Sequence, residues 1–190
     1  MNFIEVQDKQ TFDTIYSDME KQFPKSELRS YEKIYNDIFS DKSYKMAILE
    51  DKGEILGYIT YFEKDFIWVD YLAIIGEHKS KGYGSSILEK LFNHKKDKNG
   101  IYFEVELENS DEPLTAKRIN FYKKLGCKIL DLTYFYPNEE NILQMNLMYK
   151  PLMKNSPQNV IQDIKTTFDN IFECSAKEIA MKKIIEENTF

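Results

Sequence analysis

A turn rich in glycine and lysine, His78-Lys79-Ser80-Lys81-Gly82-Tyr83-Gly84-Ser85, follows a strand-like apolar run from Phe66 to Ile75. Beyond it, Ile87, Leu88, Leu91 and Phe92 recur at helical spacing. A helix that starts here leaves its first backbone N–H groups without partners and turns the positive end of its dipole toward the loop. That end attracts an anion, and Gly82 and Gly84 carry no Cβ to hold a ligand off the backbone. Lys79 and Lys81 add positive charge to the same rim. The chemistry implied is capture of a phosphate-bearing cofactor. Two other phosphate loops fail on spacing. Neither glycine is followed by Lys-Ser or Lys-Thr, as a Walker-type loop requires, and Ile87 stands where a dinucleotide fingerprint needs its third glycine.

The flanking segments give these residues a scaffold. Phe3 to Val6 reads as a first strand, and residues 10–22 and 26–39 as two helices separated by Pro24, with Ser26 as N-cap. Tyr44 to Leu49 and Ile55 to Phe62 form a hairpin across Asp51-Lys52-Gly53. After the strand–turn–helix, Asn99-Gly100 precedes a strand from Ile101 to Glu106. A helix over residues 115–125 stops at Gly126 in the left-handed position, and Cys127 to Tyr136 pairs antiparallel with Ile142 to Tyr149. This order predicts a mixed α/β fold: a mostly antiparallel sheet of six to seven strands with helices on both faces.

Two motif blocks in this order resemble the GNAT superfamily of N-acetyltransferases. The family's cofactor loop, Arg/Gln-x-x-Gly-x-Gly/Ala, begins five residues beyond an aliphatic strand end; here the strand ends at Ile74 and Lys79 takes the Arg/Gln place. Glu104-Val105-Glu106-Leu107-Glu108-Asn109 matches the E-V-x-x-x-N spacing of its fifth strand. Arg118-Ile119-Asn120-Phe121-Tyr122 and Phe23-Pro24-Lys25-Ser26-Glu27 are similar to one branch, with Arg-Ile-x-Phe-Tyr and Phe-Pro-x-x-Glu segments. Two departures stand out: extra residues from Ser110 to Thr115 follow Asn109, and Cys127 replaces a common Phe.

The resemblance implies acetyl transfer from acetyl-CoA to a primary amine by direct attack in a ternary complex. It assigns the cofactor to Leu72, Ala73, Ile74, Lys79, Ser80, Lys81, Gly82, Tyr83, Gly84, Ser85 and Asn109, with the Ile74 N–H as an oxyanion donor. Glu104 is the expected base and Asp70 the second choice, with Glu106 on the same strand face as Glu104. Tyr122 is the expected acid for the departing thiolate. Arg118 shares the helix face of Tyr122; the only two arginines, Arg29 and Arg118, read as partners in salt bridges. The alternative is an inactive acyl-CoA-binding module with its tail as a partner surface.

Length and composition set the limits. With 190 residues, 42% hydrophobic and 14% aromatic, the chain is long and apolar enough for a folded core. We divide it into a transferase domain over 1–150 and a C-terminal helical extension over 151–190, packed on that domain or at a homodimer interface. The extension opens at Ser156-Pro157 and carries a stripe of Val160, Ile161, Ile164, Phe168, Ile171 and Phe172. A capping box, Ser175 to Glu178, begins a second helix with Ile179, Ile184 and Ile185. The net charge of −6 argues against a nucleic-acid surface, and no apolar run reaches the roughly 20 residues that cross a bilayer. Two histidines are too few for a dedicated metal site, and two isolated cysteines with no secretory leader point to the cytoplasm.

Overall fold

The computed structural model describes residues 1–138, 141–153 and 157–188. The chain forms two compact units: Met1–Lys64 with Val69–Lys96, and Asp65–Trp68 with Asp97–Phe190. The fold is mixed α/β with mostly antiparallel strands. Among the described residues no helix is long and apolar enough to cross a membrane.

The first unit holds β1 (Asn2–Glu5), α1 (Lys9–Gln22), α2 (Tyr31–Ser40), β2 (Tyr44–Asp51), β3 (Glu54–Glu63), β4 (Ile67–Ile74) from Val69 onward, and α3 (Tyr83–His94). Its strands lie in the order β1-β2-β3-β4. The β2–β3 hairpin turns through Lys52 at φ 53° and Gly53 at φ 86°, the left-handed pair that matches the twist of two strands. Helices cover both faces of β3. The Tyr58 hydroxyl donates to Asp18 of α1 at 3.0 Å, whereas a Cβ on Gly57 would point at Ile87 of α3. Ser30, rather than Ser26, caps α2 by accepting the Lys33 N–H. The reason is local: Glu27 and Leu28 spend their N–H groups on the Pro24 carbonyl in a tight turn, so the helix cannot begin until that turn ends.

The second unit holds β5 (Gly100–Glu106), α4 (Pro113–Lys124), β6 (Lys128–Ile129), β7 (Tyr134–Asn138), β8 (Asn141–Pro151), α5 (Val160–Ile171) and α6 (Ala176–Asn188). β8 pairs antiparallel with β5, and with β6 and β7 on its other side. The strand expected over Cys127 to Tyr136 is therefore two strands, which brings the described total to eight. It breaks because Thr133 gives its N–H and C=O to the Asn188 side chain instead of to the ladder, both at 2.9 Å. α4 starts at Pro113, two residues early, since Pro suits the first helical position. Gly126 holds φ 82° as the turn after α4 requires.

The tail helices also depart from expectation. Ser156 lies outside the described residues, and α5 opens at Val160, where Asn159 accepts the Gln162 N–H at 3.1 Å. α5 buries Ile164, Thr167, Phe168 and Ile171, while α6 buries Ala176, Ala180 and Ile184 at i, i+4 and i+8. Ile179 and Ile185 face outward, at 54% and 46% exposure, because Ala on the inner stripe brings α6 close to β7.

Candidate functional site

In the first unit β4 ends at Ile74 and the chain passes through a 3-10 turn, Gly76–His78, before α3. Gly82 sits at the N-cap of α3 with φ 86° and gives no side-chain cap. A Cβ there would meet nothing within 4 Å, so the backbone angle, not space, calls for glycine. The first N–H groups of α3 thus face outward from a loop that also carries Lys79, Ser80 at φ 63°, and Lys81. An anion set there would meet backbone donors, dipole and lysines together.

Packing behind β4 fixes its end. A Cβ on Gly57 would stand 2.6 Å from Ile74 Cδ1, 2.7 Å from the Ala73 carbonyl oxygen and 3.0 Å from Ile87 Cδ1. Only glycine lets β3 come that near, and a glycine inside a strand pattern is the signal that could have shown it. The Ile74 carbonyl accepts from Gln22 at 3.1 Å, and Gln22 also donates to Asp18.

Asp70, the second choice for base, lies in a buried charged cluster. Arg29 donates to it at 2.5 Å and to Asp37 at 2.6 Å, the Tyr44 hydroxyl donates to it, and the Arg29 guanidinium covers the Tyr44 ring at 4.7 Å. Burial alone would lower the Arg29 pKa, but Asp70 and then the neighbouring tyrosines and Asp37 hold it well above the ordinary value. Tyr71 joins by accepting the Arg29 N–H at 3.0 Å and donating to the Glu27 carbonyl at 2.8 Å. The arginine does what a lysine could not, reaching two carboxylates with separate nitrogens.

In the second unit Glu104 is half-buried on β5 and accepts a hydrogen bond from the Tyr134 hydroxyl. Tyr122 of α4 packs on Phe103 with ring centroids 4.7 Å apart, and Phe103 alternates away from Glu104. The two candidates are therefore not side by side. Burial pushes the Tyr122 hydroxyl well above the usual phenol range, with Cys127 and Glu106 adding and Arg118 opposing. Glu106 pairs with Arg118 at the surface. Asn109 is exposed, and its Oδ1 takes the Asp111 N–H at 3.0 Å while Thr115 Oγ1 takes its own N–H at 2.9 Å. The extra residues after Asn109 make a turn that occupies its side chain. Cys127 is a buried free thiol whose pKa burial pushes up to about 12.

Two features escaped the sequence. Tyr134 reaches Glu104 across 30 residues, and nothing in local spacing points to it. His78, buried on the 3-10 turn, holds Nε2 3.1 Å from Glu54 Oε1 and 3.8 Å from Glu77 Oε1. Among the described residues this is the group whose side-chain ligand atoms converge, all within 4.8 Å of one another. A count of histidines could not anticipate it, because Glu54 comes from a distant strand.

Comparison with known proteins gives a consistent picture. The sequence profile described as the acetyltransferase (GNAT) family matches residues 12–127. The Bacillus subtilis (strain 168) protein named "Putative acetyltransferase YjbC" is 26% identical over 172 residues, covering 82% of this chain and 80% of that one. A solved structure from Bacteroides thetaiotaomicron, titled "Putative acetyltransferase from GNAT family", matches with a TM-score of 0.77 and 25% identity over 90% of this chain and 97% of its own. The Vibrio cholerae spermidine N-acetyltransferase, solved with CoA and spermine, shares the fold at a TM-score of 0.61 and 16% identity, over 80% of this chain and 96% of its own.

Proposed function

Since the chain belongs to the acetyltransferase (GNAT) family, we propose that it moves the acetyl group of acetyl-CoA to a primary amine by direct attack in a ternary complex. The observation that carries this reading is the uncapped start of α3 behind Gly82, flanked by Lys79 and Lys81. The pyrophosphate of acetyl-CoA would lie on the N–H groups of residues 82–85, with Lys79, Ser80 and Lys81 at the rim. Backbone groups of Leu72, Ala73 and Ile74 would hold the pantetheine arm, with the Ile74 N–H as oxyanion donor.

In the reaction the amine nitrogen attacks the thioester carbonyl, a C–N bond forms and the C–S bond breaks. Glu104 takes the proton that the amine loses, directly or through water, and Tyr122 gives its proton to the thiolate. Glu104 and Tyr122 lie on opposite faces of β5, so in this reading they would reach the reacting carbon from opposite sides. Asp70 is the poorer base because Arg29 and Tyr44 already engage it. Arg118-Ile119-Asn120-Phe121-Tyr122 suggests the branch with the Arg-Ile-x-Phe-Tyr helix, and two free thiols fit work in the cytoplasm.

Calorimetry with acetyl-CoA, CoA and ATP tests this reading, followed by thiol release across a panel of amines. Micromolar binding of acetyl-CoA but not ATP is expected, and Glu104→Gln should keep that binding while losing turnover. Binding with turnover that Glu104→Gln leaves intact would move the base elsewhere. Binding with no turnover for any amine would leave an acyl-CoA-binding module. No binding of a CoA ester would overturn the proposal.

A further inference from the structure

We propose that Tyr134 is a positioning residue for Glu104, and that the two C-terminal helices hold it in place. The inference rests on Glu104 as the base. β8 stands between β5 and β7, with Glu104 paired to Leu147 and Tyr134 paired to Met145. Leu147 and Met145 are two residues apart, so all four side chains share one face. Neighbouring strands lie about 4.8 Å apart, and a tyrosine and a glutamate together span the two intervals across β8. The hydroxyl then meets Glu104 Oε1.

The ring of Tyr134 is fully buried, 6.1 Å from Trp68 and 6.2 Å from Phe168 of α5 by ring centroids. Its backbone is fixed from the other side. Asn188, in the last turn of α6, donates to the Thr133 carbonyl and accepts the Thr133 N–H, each at 2.9 Å, and so takes the place of a strand partner one residue before Tyr134. α5 and α6 thus act on Glu104 through Tyr134. A phenol donating to a carboxylate fixes its rotamer and stabilises its charged form.

The test is an NMR titration of the Glu104 side-chain carboxyl in the full chain, in the wild type, Tyr134→Phe and Asn188→Ala. Tyr134→Phe keeps the ring and removes one donor, so the midpoint should rise by about one pH unit. Asn188→Ala should raise it less, in the same direction, with circular dichroism confirming the fold. If Tyr134→Phe does not fold, the Asn188→Ala titration decides alone. An unchanged midpoint in Tyr134→Phe would overturn the positioning role. An unchanged midpoint in Asn188→Ala beside a shift in Tyr134→Phe would remove the C-terminal helices from it. Calorimetry with acetyl-CoA on the same samples separates the two claims: lost cofactor binding in the wild type would sink the transferase reading, whereas the titration reports on Tyr134 regardless.

Discussion

The Arg29 guanidinium donates to the Asp70 carboxylate at 2.5 Å, where the Asp70 side chain keeps 5% of its exposure and that of Arg29 13%. A charge so placed depends on its partner, because removing one member leaves the other buried without compensation. Asp70→Asn should therefore cost about 3–5 kcal/mol of stability in urea unfolding. Asp37→Asn, which also loses an Arg29 contact but leaves Asp70 in place, should cost less. Equal stability of Asp70→Asn and the wild type would show that the pair is not a structural one.

Gly57 offers a test of the strand end that precedes the loop. Its Cβ would come within 2.7 Å of the Ala73 carbonyl oxygen, a backbone atom with little freedom to yield. Gly57→Ala should lower stability by about 1–3 kcal/mol, the usual cost of overpacking, and weaken acetyl-CoA binding in calorimetry. Gly82→Ala meets no neighbour, yet puts a Cβ at φ 86° and should cost roughly 1–2 kcal/mol in strain. Its effect should fall mainly on the cofactor, since the same loop presents the α3 donors.

Tyr122 governs what the alkaline side of the pH profile can show. Burial raises its pKa, so the phenol keeps its proton beyond the ordinary tyrosine range near 10, throughout neutral and mildly alkaline pH. The rate should therefore show no loss of activity assignable to Tyr122 ionisation below about pH 10. Tyr122→Phe should lower kcat by about 10²-fold or more, with little change in the KM for acetyl-CoA. A Tyr122→Phe enzyme with full kcat would leave thiolate protonation to solvent.

The cysteines should separate by reactivity. Burial holds the Cys127 thiol up at about 12, so at pH 8 it stays protonated and shielded. Iodoacetamide at that pH should label the half-buried Cys174 alone in the native protein, and both thiols in urea. Peptide mass mapping reads the outcome directly, and native labelling of Cys127 would contradict its burial.

The order of elements was legible because its signals are local: glycines next to the start of α3, a hairpin turn at Lys52-Gly53, Gly126 at the end of α4. The helix starts misread at Ser26 and Ser156-Pro157 failed for an equally local reason, since a better cap stood a few residues on, at Ser30 and Asn159. The rest needed contacts that spacing cannot reveal. Arg29 meets Asp70 across 41 residues and Tyr134 meets Glu104 across 30, and each changes what its carboxylate can do. Residues 127–136 read as one strand by composition, yet Asn188 breaks it from 55 residues away.

The clamp of Asn188 on Thr133 also bears on the order in which the molecule is built. Every residue of the first unit has left the ribosome's catalytic centre by Lys96, so its strands can pair while synthesis goes on. The second unit cannot close the break between β6 and β7 until α6 has been made, because the groups that satisfy Thr133 belong to its last turn. Until then the backbone before Tyr134 stays open to water. The competence of the second unit thus waits on α6, long after β5 itself has been made.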